Sequence, residues 1–148
     1  MTQFAENRKA YFNYEILEKI TAGIQLLGFE VKAVRAGRIT LDGSYVTIRG
    51  KEAFLIGAGI TPLQPKNTPE DYDERRNRKL LLTKKEIERL GNVENQQGLT
   101  LIPLSVYNIN HKLKIELGIA RGKKKTDKRE SIKKRESDRE IRRTLKNH

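Results

Sequence analysis

The chain has 148 residues and a formal net charge of +12, from Lys+Arg 31 against Asp+Glu 19. That length suits one domain with an appendage, and with 36% of residues hydrophobic and 34% charged, the apolar ones must be concentrated for a core to form. No run of about 18 apolar residues is present, which excludes a membrane-spanning helix, and Cys 0 excludes disulfides, zinc fingers and thiolate catalysis. The opening Met1-Thr2-Gln3-Phe4-Ala5-Glu6-Asn7 lacks the basic and apolar segments of a signal peptide, so a cytoplasmic protein is expected.

From Tyr11 to Ile20, Phe12, Tyr14 and Ile16 alternate with Asn13 and Glu15, which predicts a half-buried strand that Thr21 to Leu27 can extend. Gly28 breaks it. Phe29 to Ala36 carries Val31, Val34 and Arg35 at helical spacing ahead of Gly37, a natural C-terminal cap, so a short helix is expected there. Ile39 and Leu41 open a strand and Asp42-Gly43 turns it. Ser44 to Arg49 and Ala53 to Ile56, joined by Gly50-Lys51, read as a hairpin. Residues 57 to 72 hold Gly57, Gly59, Pro62, Pro65 and Pro69 and read mostly as loop. Thr83-Lys84-Lys85-Glu86 has capping-box spacing, with Ile87 and Leu90 turned inward and Gly91 expected to end the helix. Leu99 to Tyr107 and Leu113 to Ala120 form a last apolar pair of strands.

Five or six short strands with two or three short helices in so small a domain predict a closed or nearly closed antiparallel barrel, because its edges need hiding. The fold class expected is therefore mainly β with short helices: an OB-like antiparallel β-barrel over residues 1–120. The pattern alone allows an SH3-like barrel equally.

Residues 121–148 differ in kind. They hold 13 Lys+Arg against 5 Asp+Glu, a net of +8, with Ile132, Ile141 and Leu145 as their sizeable apolar side chains. That is too little apolar surface to offset ordering entropy, which predicts a basic tail disordered in isolation. Ile141 and Leu145 fall at i, i+4 on one face of a potential helix that a polyanion would neutralise into order. A purely solubilising tail is the bland alternative, and a membrane-surface helix is disfavoured by so narrow an apolar face without Trp or Phe.

Catalytic chemistry is sparse. His111 falls in a turn and His148 is the last residue, so neither makes a convincing base or ligand. Gly118 to Lys123 fails as a phosphate loop on glycine spacing, with Lys124 where Ser or Thr should hold Mg²⁺. Glu70, Asp71 and Asp73 could hold Mg²⁺ as a nuclease would, but pairing with Arg75, Arg76 and Arg78 is the expected account. No enzymatic activity, cofactor or metal is expected.

Seven motifs then occur in order: Asn7-Arg8-Lys9-Ala10; Ala22-Gly23-Ile24 through Gly28, Glu30-Val31-Lys32 and Arg35-Ala36-Gly37; Ser44-Tyr45-Val46; Glu52-Ala53-Phe54-Leu55; Ile60-Thr61-Pro62; Arg78-Lys79-Leu80-Leu81-Leu82; and Gly122-Lys123-Lys124 with Asp127-Lys128-Arg129. Together, from about Asn7 to the C-terminus, they resemble the small protein B (SmpB) family, partners of transfer-messenger RNA (tmRNA) in ribosome rescue.

The resemblance implies an OB-like body that grips the elbow of the tRNA-like domain of tmRNA. It also implies a tail that enters the empty decoding centre (16S rRNA) and mRNA channel of a stalled ribosome and becomes helical there. The family's elbow-binding positions map onto Leu81, after Arg78-Lys79, and onto Lys114, while Arg35 is expected as a phosphate contact. Glu30 is either an acceptor from an RNA base or hydroxyl or a carboxylate stabilising a helix dipole. In the tail, Lys123, Lys124, Lys128 and Arg129 would meet rRNA phosphates, Asp127 would orient its neighbours, and Ile141 and Leu145 would form the apolar stripe. Elongation factor Tu with alanyl-tmRNA is a further partner implied by resemblance; no membrane partner is implied.

The chain departs from the family at four places: Thr21 where Glu usually precedes Ala-Gly, Thr126 where Tyr or His precedes Asp-Lys-Arg, Phe12 where His is common, and Thr144-Leu145 for a fully apolar pair. Thr126 removes a stacking ring from that position. The alternative function is a general RNA-binding or ribosome-associated OB protein.

Overall fold

Asn110 and His111 both adopt positive φ, 50° and 65°, the conformation of a two-residue type I′ turn whose twist matches that of the strands it joins. It links two of the three 11-residue strands, β8 (Leu99–Ile109) and β9 (Lys112–Gly122), paired from Ile109↔Lys112 to Leu99↔Arg121. The computed structural model describes residues 2–64, 66 and 68–123. The expectations for Lys124, Asp127, Lys128, Arg129, Ile141 and Leu145, including a disordered tail that turns helical, lie outside these residues.

Around the hairpin the chain places β1 (Thr2–Glu6), α1 (Arg8–Asn13), β2 (Tyr14–Ile24), α2 (Gly28–Arg35), β3 (Ile39–Thr40), β4 (Tyr45–Arg49), β5 (Glu52–Ile56), β6 (Gly59–Ile60), β7 (Arg78–Leu81) and α3 (Lys84–Glu94). Seven strands form one antiparallel sheet in the order β1-β8-β9-β2-β7-β5-β4, and β3 pairs with β6 separately. The sheet curls until β4 lies against β8 without a hydrogen-bonded ladder between them. The result is an OB-like barrel left open along that seam. β9 runs to Gly122, two residues past the expected end of the body.

The barrel interior collects Ala22, Val34, Val46, Leu55, Leu80, Leu101, Ile115 and Leu117, all buried. A second, smaller cluster of Ala10, Ile102, Leu104 and Ala120 lies beneath α1, with Tyr11, Tyr14 and Ile16 packed against it. The register shifts between Ile16 and Glu18 in β2 and between Pro103 and Ser105 in β8 make this possible. A bulge reverses which side chains face inward, so one strand serves both clusters.

Helix α1 corrects the expectation of a strand from Tyr11. The Asn7 side chain accepts from the Ala10 amide at 3.3 Å and donates through Nδ2 to the Pro103 carbonyl at 2.9 Å. An Asn N-cap anchored on β8 starts the helix, and the strand begins only at Tyr14. The alternation of Phe12, Tyr14 and Ile16 crosses a helix–strand junction.

The other two helices match their caps. Gly37, at φ 78°, lets its own amide reach Val34 O and the Arg38 amide reach Ala33 O, closing α2. Thr83 Oγ1 accepts from the Glu86 amide at 3.2 Å and the Glu86 carboxylate accepts from the Thr83 amide at 3.0 Å, opening α3. Gly91 does not end α3. The helix continues to Glu94, whose carboxylate accepts from Thr47 Oγ1 and from the Ile48 amide, each at 3.0 Å. That pairing occupies a donor on the free edge of β4 and packs α3 against it, which protects the edge. β6 and β7 likewise lie in stretches that charge and proline content left without assigned strands.

A candidate RNA interface

Glu30, in the first turn of α2, and Arg78, at the start of β7, are each 0% exposed. One Glu30 oxygen accepts from Arg78 Nε at 3.1 Å, Arg78 Nη2 at 2.6 Å, Arg76 Nε at 3.1 Å and the Tyr72 hydroxyl at 2.8 Å. The other accepts from the Leu27 amide at 2.8 Å and from Arg76 Nη2. Arg78 also donates to Ala58 O at 2.6 Å, and the Tyr72 ring meets Phe29 edge-on with centroids 4.8 Å apart. Burial opposes ionisation of Glu30, but the hydrogen bonds from Arg76, Leu27, Arg78 and Tyr72 prevail and hold its carboxyl at about 2. The same burial and the bond to Glu30 push the Tyr72 phenol up to about 12.

This clasp ties α2, the residues around 57–60 and β7 into one unit. It corrects two expectations. Glu30 and Arg78 are fully buried and present no surface to an RNA, Glu30 instead accepting at the N-terminus of α2, and Arg76 and Arg78 are engaged by Glu30 rather than by Glu70, Asp71 or Asp73. Arg75 donates its amide to Asp73 Oδ1 at 2.9 Å and its guanidinium to Gly57 O at 2.7 Å. Among the described residues no cluster of three metal-ligating side chains occurs.

On the outer face of the sheet, Gly23 in β2 is paired with Leu81 in β7 on one side and with Lys114 in β9 on the other. Residues directly opposite across neighbouring strands share a face. Leu81, 54% exposed, and half-buried Lys114 therefore flank a glycine in one row. Lys79, two residues before Leu81, shares that face and pairs with Glu52 at 3.3 Å. Thr21, two residues before Gly23, is exposed, with its hydroxyl 3.0 Å from that of Tyr107.

Arg35 lies at the C-terminal end of α2 and donates to His111 O at 2.9 Å, fastening the helix to the tip of the β8–β9 hairpin. His111 is exposed on that tip, as a turn histidine should be. Arg35 and Lys112 thus stand at the same end of β9 as Lys114. Lys123 stands at the opposite end: its amide donates to Asn13 O at 2.9 Å and its Nζ to Tyr11 O at 3.1 Å. Lys123, expected as an rRNA contact, anchors the end of β9 to α1. The arrangement offers an exposed apolar side chain beside cations on a fixed sheet, a surface suited to nucleic-acid shape.

Sequence reasoning missed Gly23 as the centre of this row, although its motif was noted. Its partners lie far along the chain, and only the register brings them to it.

The family model described as SmpB protein matches residues 4–147. The chain belongs to the SmpB family. A relative named SsrA-binding protein from Gloeothece citriformis is 48% identical over 141 residues, covering 95% of this chain and 91% of the relative. Another from Wolinella succinogenes, also named SsrA-binding protein, is 48% identical over 145 residues, covering 97% and 96%. A solved chain from "tmRNA-SmpB: a journey to the center of the bacterial ribosome" superposes with TM-score 0.67 at 43% identity, covering 86% of this chain and 93% of that one. Membership of SmpB accounts for the OB-like body and for the motif order alike. No helix among the described residues is long and apolar enough to cross a membrane.

Proposed function

We propose that this chain is the tmRNA-binding adaptor of trans-translation, working in the cytoplasm without making or breaking a bond. The observation that carries the reading is the row Lys114–Gly23–Leu81 in a member of the SmpB family. The body grips the elbow of the tRNA-like domain through Leu81, Lys79, Lys114 and Arg35. An elbow exposes loop bases beside dense phosphates, which an apolar side chain between cations can read by shape. Glu30 and Arg78 hold the scaffold beneath that surface. The tail beyond Lys123 occupies the empty decoding centre and mRNA channel of the stalled ribosome, with Lys124, Lys128 and Arg129 on phosphates and Ile141 and Leu145 as its apolar stripe. Elongation factor Tu delivers alanyl-tmRNA in the same complex.

The test is binding to the tRNA-like domain of tmRNA, titrated with salt and competed with ordinary tRNA, for the full chain and for a chain ending at Lys123. Both should prefer the tRNA-like domain at physiological salt, while only the full chain supports tagging on stalled ribosomes. Equal, salt-labile binding to both RNAs would instead mark a general RNA binder. Loss of RNA affinity on truncation would overturn the division between body and tail.

A further inference from the structure

We propose that Glu116 reads a base of the RNA held on the sheet, its carboxylate accepting from the two Watson–Crick donors of one unpaired guanine. The inference rests on the adaptor reading above and adds to it a residue that discriminates between RNAs.

The strand register places Glu116 inside the interface. It follows Lys114 by two residues on β9 and so shares the outer face. Thr21 stands opposite it on β2 and Ser105 opposite it on β8, so the row Thr21–Glu116–Ser105 runs beside the row Leu81–Gly23–Lys114–Tyr107. Gly23 is a diagonal neighbour of Glu116, at a separation that a long side chain crosses. Being a glycine, it contributes no side chain to separate the apolar surface of Leu81 from the carboxylate. A base resting on Leu81 can therefore turn its edge to Glu116.

The acceptors of that carboxylate are unspent. Among the described residues its ionic partner is Lys19 at 3.8 Å, too far for a hydrogen bond, with the lysine and glutamate side chains 53% and 27% exposed. Such a pair contributes little, and the Lys19 ammonium is shared with the Tyr11 ring, 5.6 Å from its centre. The Thr21 hydroxyl is spent on Tyr107 rather than on Glu116. Glu52, by contrast, accepts from Lys79 at 3.3 Å.

The chemistry of an open carboxylate selects the base. Beside Lys112 and Lys114 it works against phosphate binding, and phosphate contacts position an RNA whereas contacts to base edges specify it. A carboxylate accepts without donating. Guanine alone offers it two adjacent donors, N1–H and N2–H₂, on the Watson–Crick edge; adenine, cytosine and uracil each set an acceptor there against the incoming oxygens. Pairing with cytosine occupies both donors, so the guanine must be unpaired, as it is in the single-stranded loops that proteins read.

The experiment measures binding of the full chain to the tRNA-like domain of tmRNA across a salt series, for wild type, Glu116→Gln and Glu116→Ala. Each complex is also treated with kethoxal, which adds to N1 and N2 of unpaired guanines. A carboxylate with no base to read would, once removed, leave a more positive surface and tighter RNA binding. We expect the reverse: binding about tenfold weaker in both variants, in line with one lost bidentate base contact. The slope of log affinity against log salt should stay that of wild type, because no phosphate contact is lost. One guanine shielded from kethoxal by wild type should react in the complexes of both variants. Glu116→Gln keeps the shape of the side chain at a partly exposed position, so it reports recognition even if Glu116→Ala lowers the melting temperature. Equal or tighter binding by Glu116→Gln, or a kethoxal pattern identical to that of wild type, overturns the role of Glu116 alone. A wild-type chain with no preference for the tRNA-like domain over ordinary tRNA overturns the adaptor reading and this role with it.

Discussion

A Cβ at Gly23 would lie 3.1 Å from the Cβ of Leu81, tighter than side chains ordinarily pack across paired strands. The glycine is therefore the seat on which Leu81 rests while 54% of the leucine faces outward. Gly23→Ala should displace Leu81 by a few tenths of an ångström without unfolding the sheet, since Leu81 can shift toward solvent. We expect stability within about 1 kcal/mol of wild type and severalfold weaker binding to the tRNA-like domain. In a double-mutant cycle the losses from Gly23→Ala and Leu81→Ala should be less than additive, because both act through the same side chain. Fully additive losses would mean that Gly23 acts by another route.

Leu81 and Lys114 flank that glycine but should fail differently. Lys114→Ala removes a phosphate contact, which reduces the slope of log affinity against log salt by about 1. Leu81→Ala should lower affinity at every salt concentration and leave the slope unchanged, since no counterion is released at a methyl group. A fluorescence titration at four or five salt concentrations separates the two. Parallel lines for wild type and Lys114→Ala would remove Lys114 from the interface.

The clasp predicts a loss of stability rather than of recognition chemistry. Glu30→Gln leaves Arg78 charged, fully buried and without its counter-ion, with neutral acceptors alone, the Ala58 carbonyl, the Tyr72 hydroxyl and the new amide oxygen, to meet its donors. Breaking a buried pair in this way costs about 3–5 kcal/mol, which a urea unfolding curve resolves easily. Arg76→Ala should cost less, because the Arg76 side chain is 30% exposed and water can replace its contact. Equal losses for the two would show that the pair with Arg78 is not the principal one.

Local signals fared well where the determinants were local. The Thr83–Glu86 capping box and the Gly37 cap lie within one helical turn, and both are present as expected. Helix α1 was hidden because the Asn7 side chain that starts it is fixed by Pro103, 96 residues along the chain. Gly91 was misleading because a glycine facing Ile48 permits the helix to approach β4 rather than to stop. At the site, resemblance supplied Leu81 and Lys114, but their common row depends on two strand registers that no local pattern encodes. Glu30 and Arg78 were singled out as contacts, and their burial depends on pairing across 48 residues.

The same clasp gives stability a defined dependence on pH at both extremes. Glu30 has its carboxyl lowered from an ordinary 4.5 to about 2 by folding. The unfolded chain therefore binds the proton first, and the contribution of Glu30 is complete above about pH 4.5 and lost as pH falls toward 2. A shift of that size corresponds to about 3 kcal/mol. Tyr72 behaves in the opposite sense: its phenol is raised from 10.0 to about 12, so its contribution is complete below about pH 10 and lost as pH rises through 12. Unfolding free energy measured from pH 2 to 5 should rise less steeply in Glu30→Gln than in wild type, and Tyr72→Phe should flatten the decline between pH 10 and 12. Superimposable acid limbs for wild type and Glu30→Gln would mean that Glu30 is not held ionised by its two arginines, and the electrostatic account of the clasp would fail with it.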